Sequence, residues 1–166
     1  MRSVILLAAM LVSVAAPAVA QPGSGHPVLL IGGQYGAPAG LSGTAGVLIA
    51  PPKALTPGTS PDSSRAGLVL KGGAGTGGFG VAAGATALAL EGPFLTTGFD
   101  ALFTISRTGH SPRGAAADST YAGVEAGLVI MSVRLSAGVA HRVAGLPGPK
   151  ATIFTWSAGV QIPLGW

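Results

Sequence analysis

Five polar side chains stand where their chemistry has to be accounted for: Lys71, Asp100, Glu125, Arg134 and Gln161. Each falls in a segment that alternates at a period of two, on the face otherwise made of small or polar residues, while the opposite faces are almost free of charge. Two bases and two carboxylates gathered inside a folded sheet can neutralise one another as a structural network, and a path for a proton or ion is the sharper reading of the same set. Other patterns point to chemistry less firmly. Gly73-Ala74-Gly75-Thr76-Gly77-Gly78 contains G-x-G-x-x-G, but the next segment alternates at period two and offers no helix N-terminus for a pyrophosphate, so a glycine turn is expected. His110 and Ser111 have Asp118 nearby, yet all three fall in a Pro/Gly-rich stretch with no evident scaffold for a triad. His141 has the parity of the apolar face near the end of its segment.

The elements that must position these residues are strands. Eight are expected: Val28–Gly36, Leu41–Ala50, Arg65–Gly72, Gly78–Leu90, Phe94–Ser106, Thr120–Val129, Met131–Val143 and Ile153–Trp166. Ala37–Gly40 reads as a tight turn, and Pro51–Ser64 and Arg107–Asp118 read as loops by their Pro, Gly and Ser content. The last strand reads I-F-T-W-S-A-G-V-Q-I-P-L-G-W, with Phe154, Trp156, Ala158, Val160, Ile162, Leu164 and Trp166 on one face.

Met1–Ala20 has one early charge at Arg2, an apolar run from Val4 to Val14, and Ala18-Val19-Ala20 before Gln21. This is the form of a cleaved secretory signal peptide, which leaves residues 21–166 as one domain. From Gln21 onward the chain holds eight basic and five acidic residues, a net charge of +3, and 13 charges in 146 residues fall far below the roughly 25% usual in a soluble domain. After Ala20 no run of about 20 apolar residues exists to make a membrane-spanning helix. High hydropathy without a helical span leaves alternating strands closed into a barrel, which also satisfies every backbone group in lipid. Eight strands of about ten residues leave room for turns, with ten as the alternative count. An outward charge near the midplane costs about 2–4 kcal/mol, so the five polar residues are expected to face the lumen.

The absence of cysteine excludes a disulfide framework and lipid attachment through a cysteine, and three scattered histidines give no zinc spacing. Dispersed basic residues without interleaved aromatics give no nucleic-acid footprint. No cofactor is implied.

The closing strand, with Phe154, Trp156 and a C-terminal Trp166, resembles that of small bacterial outer-membrane β-barrels, whose final aromatic is read by the barrel assembly machinery. The resemblance implies an all-β, single closed antiparallel barrel in the outer membrane of a Gram-negative bacterium, with outer-membrane lipid and the assembly machinery as partners. The function expected on that basis is structural or interaction-based, presented through Arg107–Asp118 and Ala144–Thr152, with a lumen plugged by polar side chains and no catalysis. Small barrels of similar architecture that modify lipid A keep a His and a Ser on the lipid-facing side near the rim, which makes a lipid-modifying activity around His141 the alternative, with no second residue pattern here that matches the Ser. A secreted or periplasmic lipocalin-like barrel is the third reading. Two features depart from the class. Aromatics are only 5% of the chain, leaving Tyr35, Phe94, Tyr121, Trp156 and Trp166 as a thin interfacial set. Pro51–Ser64 also falls on the side that normally has short turns.

Overall fold

The computed structural model describes residues 27–49, 64–90, 96–145 and 150–164. They form eight antiparallel strands closed on themselves: β1 Val28–Ala37, β2 Gly40–Ile49, β3 Ser64–Gly75, β4 Gly78–Leu90, β5 Thr96–Thr108, β6 Thr120–Ile130, β7 Val133–Ala144 and β8 Thr152–Leu164. Each strand pairs with its neighbours in sequence, and β1 closes the ring on β8 from Leu29 opposite Leu164 to Ala37 opposite Trp156. No edge strand is left, so every strand has a backbone partner on both sides. The end where β1 begins and β8 finishes is called the lower rim here. The opposite, upper rim carries the two-residue turns Pro38–Ala39 and Thr76–Gly77 and the connection 109–119.

Strict alternation decides which side chains face in. On β5, Phe99, Phe103 and Ile105 are exposed outside, whereas Asp100 and Leu102 are buried inside. On β7, Val133, Leu135 and Val139 face out and Arg134 faces in. At mid-height the result is inverted relative to a water-soluble sheet, because Lys71, Asp100, Glu125 and Arg134 are inside while large apolar residues cover the outside. Toward the lower rim the interior is closed by an apolar cluster of Val28, Leu30, Leu48, Val69, Leu88, Leu102 and Val129.

The expected strand count and barrel closure agree with this architecture, and the differences lie at strand ends. β3 runs to Gly75, three residues past Gly72, because Gly73–Gly75 continue the ladder with β2 and only Thr76–Gly77 turn. The glycine-rich G-x-G-x-x-G stretch is therefore mostly strand. β5 extends to Thr108, two residues past Ser106, and Phe94 and Leu95, expected to open it, lie outside the described residues. Met131 and Ser132, expected to open β7, form its turn instead, at φ 50° and 66°. Positive φ at both central residues is the geometry that matches the twist of a two-residue hairpin. Gly40, at φ 70°, begins β2 in a conformation that a side chain would strain. The segment 50–63 joins two strand ends at the lower rim, so its length there does not come from a miscounted strand. Residues 1–20, read as a signal peptide, and Trp166 lie outside the described residues.

Candidate functional site

Lys71, Asp100, Glu125, Arg134 and Gln161 come from five different strands, and the closed ladder brings them together in mid-lumen. Asp100 is at the centre, with its side chain fully shielded. The Arg134 guanidinium grips it with a fork: Nε donates to Asp100 Oδ2 at 3.0 Å and Nη2 to Oδ1 at 2.8 Å. Two parallel charge-assisted bonds of this kind fix orientation as well as supplying energy. Nη2 also reaches Glu125 Oε1 at 2.8 Å, and Lys71 Nζ donates to Asp100 Oδ2 at 2.7 Å and to Gln161 Oε1 at 2.8 Å. The ammonium has no acceptor capacity, so it dictates which end of the Gln161 amide faces it. Charges balance within the group, two cations against two carboxylates. Gly127 on β6 makes the space for it, since a β-carbon there would fall on Asp100 Oδ1 and 2.7 Å from Arg134 Nη2.

Above the network, toward the upper rim, is a cavity of about 140 Å³. Gln34, Ser42, Thr44, Thr104 and Ser157 line it, and Lys71, Glu125 and Arg134 form its floor. A volume of that size has room for several waters, each of which occupies about 30 Å³ in the liquid. Ser157 Oγ donates to Gln34 Oε1 at 3.2 Å and shares a hydrogen bond of 2.7 Å with Ser136 Oγ, so part of the wall is tied laterally. On the β6–β7–β8 side the lumen is filled instead by Tyr121, Ala140 and Ile153 with Ala115 from the connection above.

The stretch Gly109–Ser119 has a scaffold after all, contrary to the expectation from its composition. Thr108 Oγ1 donates to the carbonyls of Ala116 and Ser119 and accepts from Ser119 N at 2.9 Å. Tyr121, fully buried, accepts from Ala116 N and donates to the Lys150 carbonyl, each at 3.0 Å. Gly109 N reaches Gly77 O at 2.9 Å and Arg113 N reaches Pro38 O at 3.2 Å, which carries the segment from β5 to the turn after β1. The Arg113 guanidinium then lies 4.8 Å from the centre of the Tyr35 ring, which meets Trp156 edge-on at 6.0 Å. Tyr121 is thus an interior anchor and not part of an interfacial aromatic set. Its signal was a lone large aromatic on the face of Gly123, Glu125 and Gly127.

The remaining candidates are peripheral. His110 Nδ1 is 3.1 Å from Asp118 Oδ2, with the imidazole 92% exposed. His141 faces outward, as its parity requires, and its Nδ1 is 3.0 Å from Thr152 Oγ1 on the adjacent strand. Phe154 and Trp156 are on the outer face, exposed to 64% and 40%. No group of three metal-ligating side chains occurs among the described residues. No protein-family model, curated protein or solved structure matches this chain.

Removing Asp100 strands two buried cations against one partly exposed carboxylate. Asp100→Ala is expected to destabilise the barrel by about 3–5 kcal/mol in urea unfolding followed by Trp fluorescence, the usual range for breaking a buried pair; a loss below about 1 kcal/mol would contradict the network's role. Tyr121→Phe removes one donor and one acceptor that tie the upper connection down. Trypsin should then cut at Arg113 several-fold faster in the variant than in the parent, and unchanged cleavage would show that Tyr121 does not hold the segment.

Proposed function

We propose that this chain is an outer-membrane β-barrel protein of the small eight-stranded class, with a structural or loop-mediated interaction role. The observation that carries this reading is the inverted polarity of the closed sheet. Outside, Leu68, Phe99, Phe103, Val124, Leu135, Val139 and Phe154 are exposed to between 51% and 69%. Inside, Lys71, Asp100, Glu125 and Arg134 neutralise one another. Monomeric proteins in water rarely carry apolar surface on that scale, whereas lipid requires it. The signal-peptide form of residues 1–20 supports export. A network of balanced charges above an apolar cluster supports a plugged lumen over an open pore. The lipocalin-like alternative needs the large apolar faces turned inward around a ligand, and Phe103, Val124 and Val139 point the other way.

Val124 tests the reading directly, because it is 63% exposed and lies level with Phe103 and Val139 on the neighbouring strands. Val124→Arg is expected to destabilise the protein refolded in lipid vesicles by about 2–4 kcal/mol, the cost of a charge facing hydrocarbon. A change within about 0.5 kcal/mol, as for an ordinary exposed position in water, would sink the membrane reading.

The pairing of His141 with Thr152 favours a second reading. A base within hydrogen-bond reach of a hydroxyl, at the edge of an apolar outer face, is the arrangement that acyl transfer to or from a lipid uses. In that case His141→Ala abolishes a mass change in lipid A produced by the parent protein, with heat-modifiable gel migration preserved. Absence of any such change with the parent protein removes this reading.

A further inference from the structure

The charges of this chain divide by height in a way the membrane reading leaves unexplained. In mid-lumen Lys71 and Arg134 cancel Asp100 and Glu125. Lys53, Asp62, Arg65 and Glu91, which the sequence places between β2 and β3, at the start of β3 and between β4 and β5, sum to zero in formal charge. The whole net charge of +3 beyond residue 20 is therefore left to the upper rim, where Arg107, Arg113, Arg142 and Lys150 face a single carboxylate, Asp118. That carboxylate lies 3.1 Å from His110 Nδ1. Arg107 points outward from β5, exposed, and donates to Thr120 Oγ1 at 3.2 Å. Arg113 and Lys150 are exposed, and Arg113 lies over Tyr35, whose ring touches the outward-facing Trp156.

We infer that the upper rim is a binding surface for the phosphate groups of anionic lipid headgroups in the leaflet it meets. The inference rests on the membrane reading and adds to it a lipid class and a side. Three features point to headgroups. The cations are spread around the ring from β5 to β1, which suits a layer of phosphates better than one compact ligand. They stand beside or above apolar and aromatic side chains, Phe79 directly opposite Arg107 on β4 and Phe154 and Trp156 on β8, that belong at the edge of hydrocarbon. Arginine forks bind phosphate oxygens in pairs, and cations beside an anionic surface gain energy that salt screens.

Trp156 is a built-in reporter, because Trp166 is the one other tryptophan. The full chain carrying Trp166→Phe is refolded into phosphatidylcholine vesicles containing a fixed minor fraction of brominated lipid, either phosphatidylglycerol or phosphatidylcholine. Brominated phosphatidylglycerol is expected to act as though roughly two- to fivefold enriched around Trp156. The excess should disappear in about 0.5 M salt and in the triple variant Arg107→Gln, Arg113→Gln, Lys150→Gln, with the heat-dependent gel shift retained. Equal quenching by the two lipids would overturn the headgroup inference and leave the barrel in the membrane. Quenching by neither would overturn the membrane reading itself.

Discussion

Closing β1 onto β8 leaves an interior with room for little besides side chains, and that constraint governs what each strand may carry. Every second residue must point into the space, so the polar set on those faces has to satisfy itself. Asp100 is the keystone of that arrangement. Its two oxygens take the Arg134 fork and the Lys71 ammonium, and those cations in turn orient Glu125 and Gln161. Such a layer specifies register, because a slip of one residue in any contributing strand would turn its charge toward the outer face.

The interior is graded along the axis. Apolar side chains close the lower rim, the ion network spans the middle, and a small polar cavity opens above it. The upper rim is not merely loop. Thr108 and Tyr121 tie one connection to the barrel wall, and that connection in turn places Arg113 on Tyr35. Shape and charge therefore converge at the same rim: it has the ordered connection, the aromatic contact and the unbalanced cations. The opposite rim offers only an apolar floor among the described residues.

Much of this was legible in alternation alone. Lys71, Asp100, Glu125, Arg134 and Gln161 were separable from Phe99, Val124 and Leu135 by parity, since period two maps sequence directly onto inside and outside. The eight segments were visible because Gly and Pro punctuate them. Strand ends were less legible where glycine can be either ladder or turn, as at Gly73–Gly75, and where an ordinary residue adopts positive φ, as at Met131. The partners within the network and the folding of Gly109–Ser119 over the rim were not legible. They depend on contacts between residues such as Arg113 and Pro38 that no local pattern encodes, and on register across strands far apart in sequence.

The proposed contact between the barrel's apolar outer face and lipid has a direct test. Cells expressing the full-length chain can be fractionated, and the protein run on SDS gels with and without boiling. Partition with the outer membrane and a band that shifts on boiling is the predicted result. Recovery as a soluble species whose migration ignores boiling would contradict the claim and require another explanation for the exposed apolar faces.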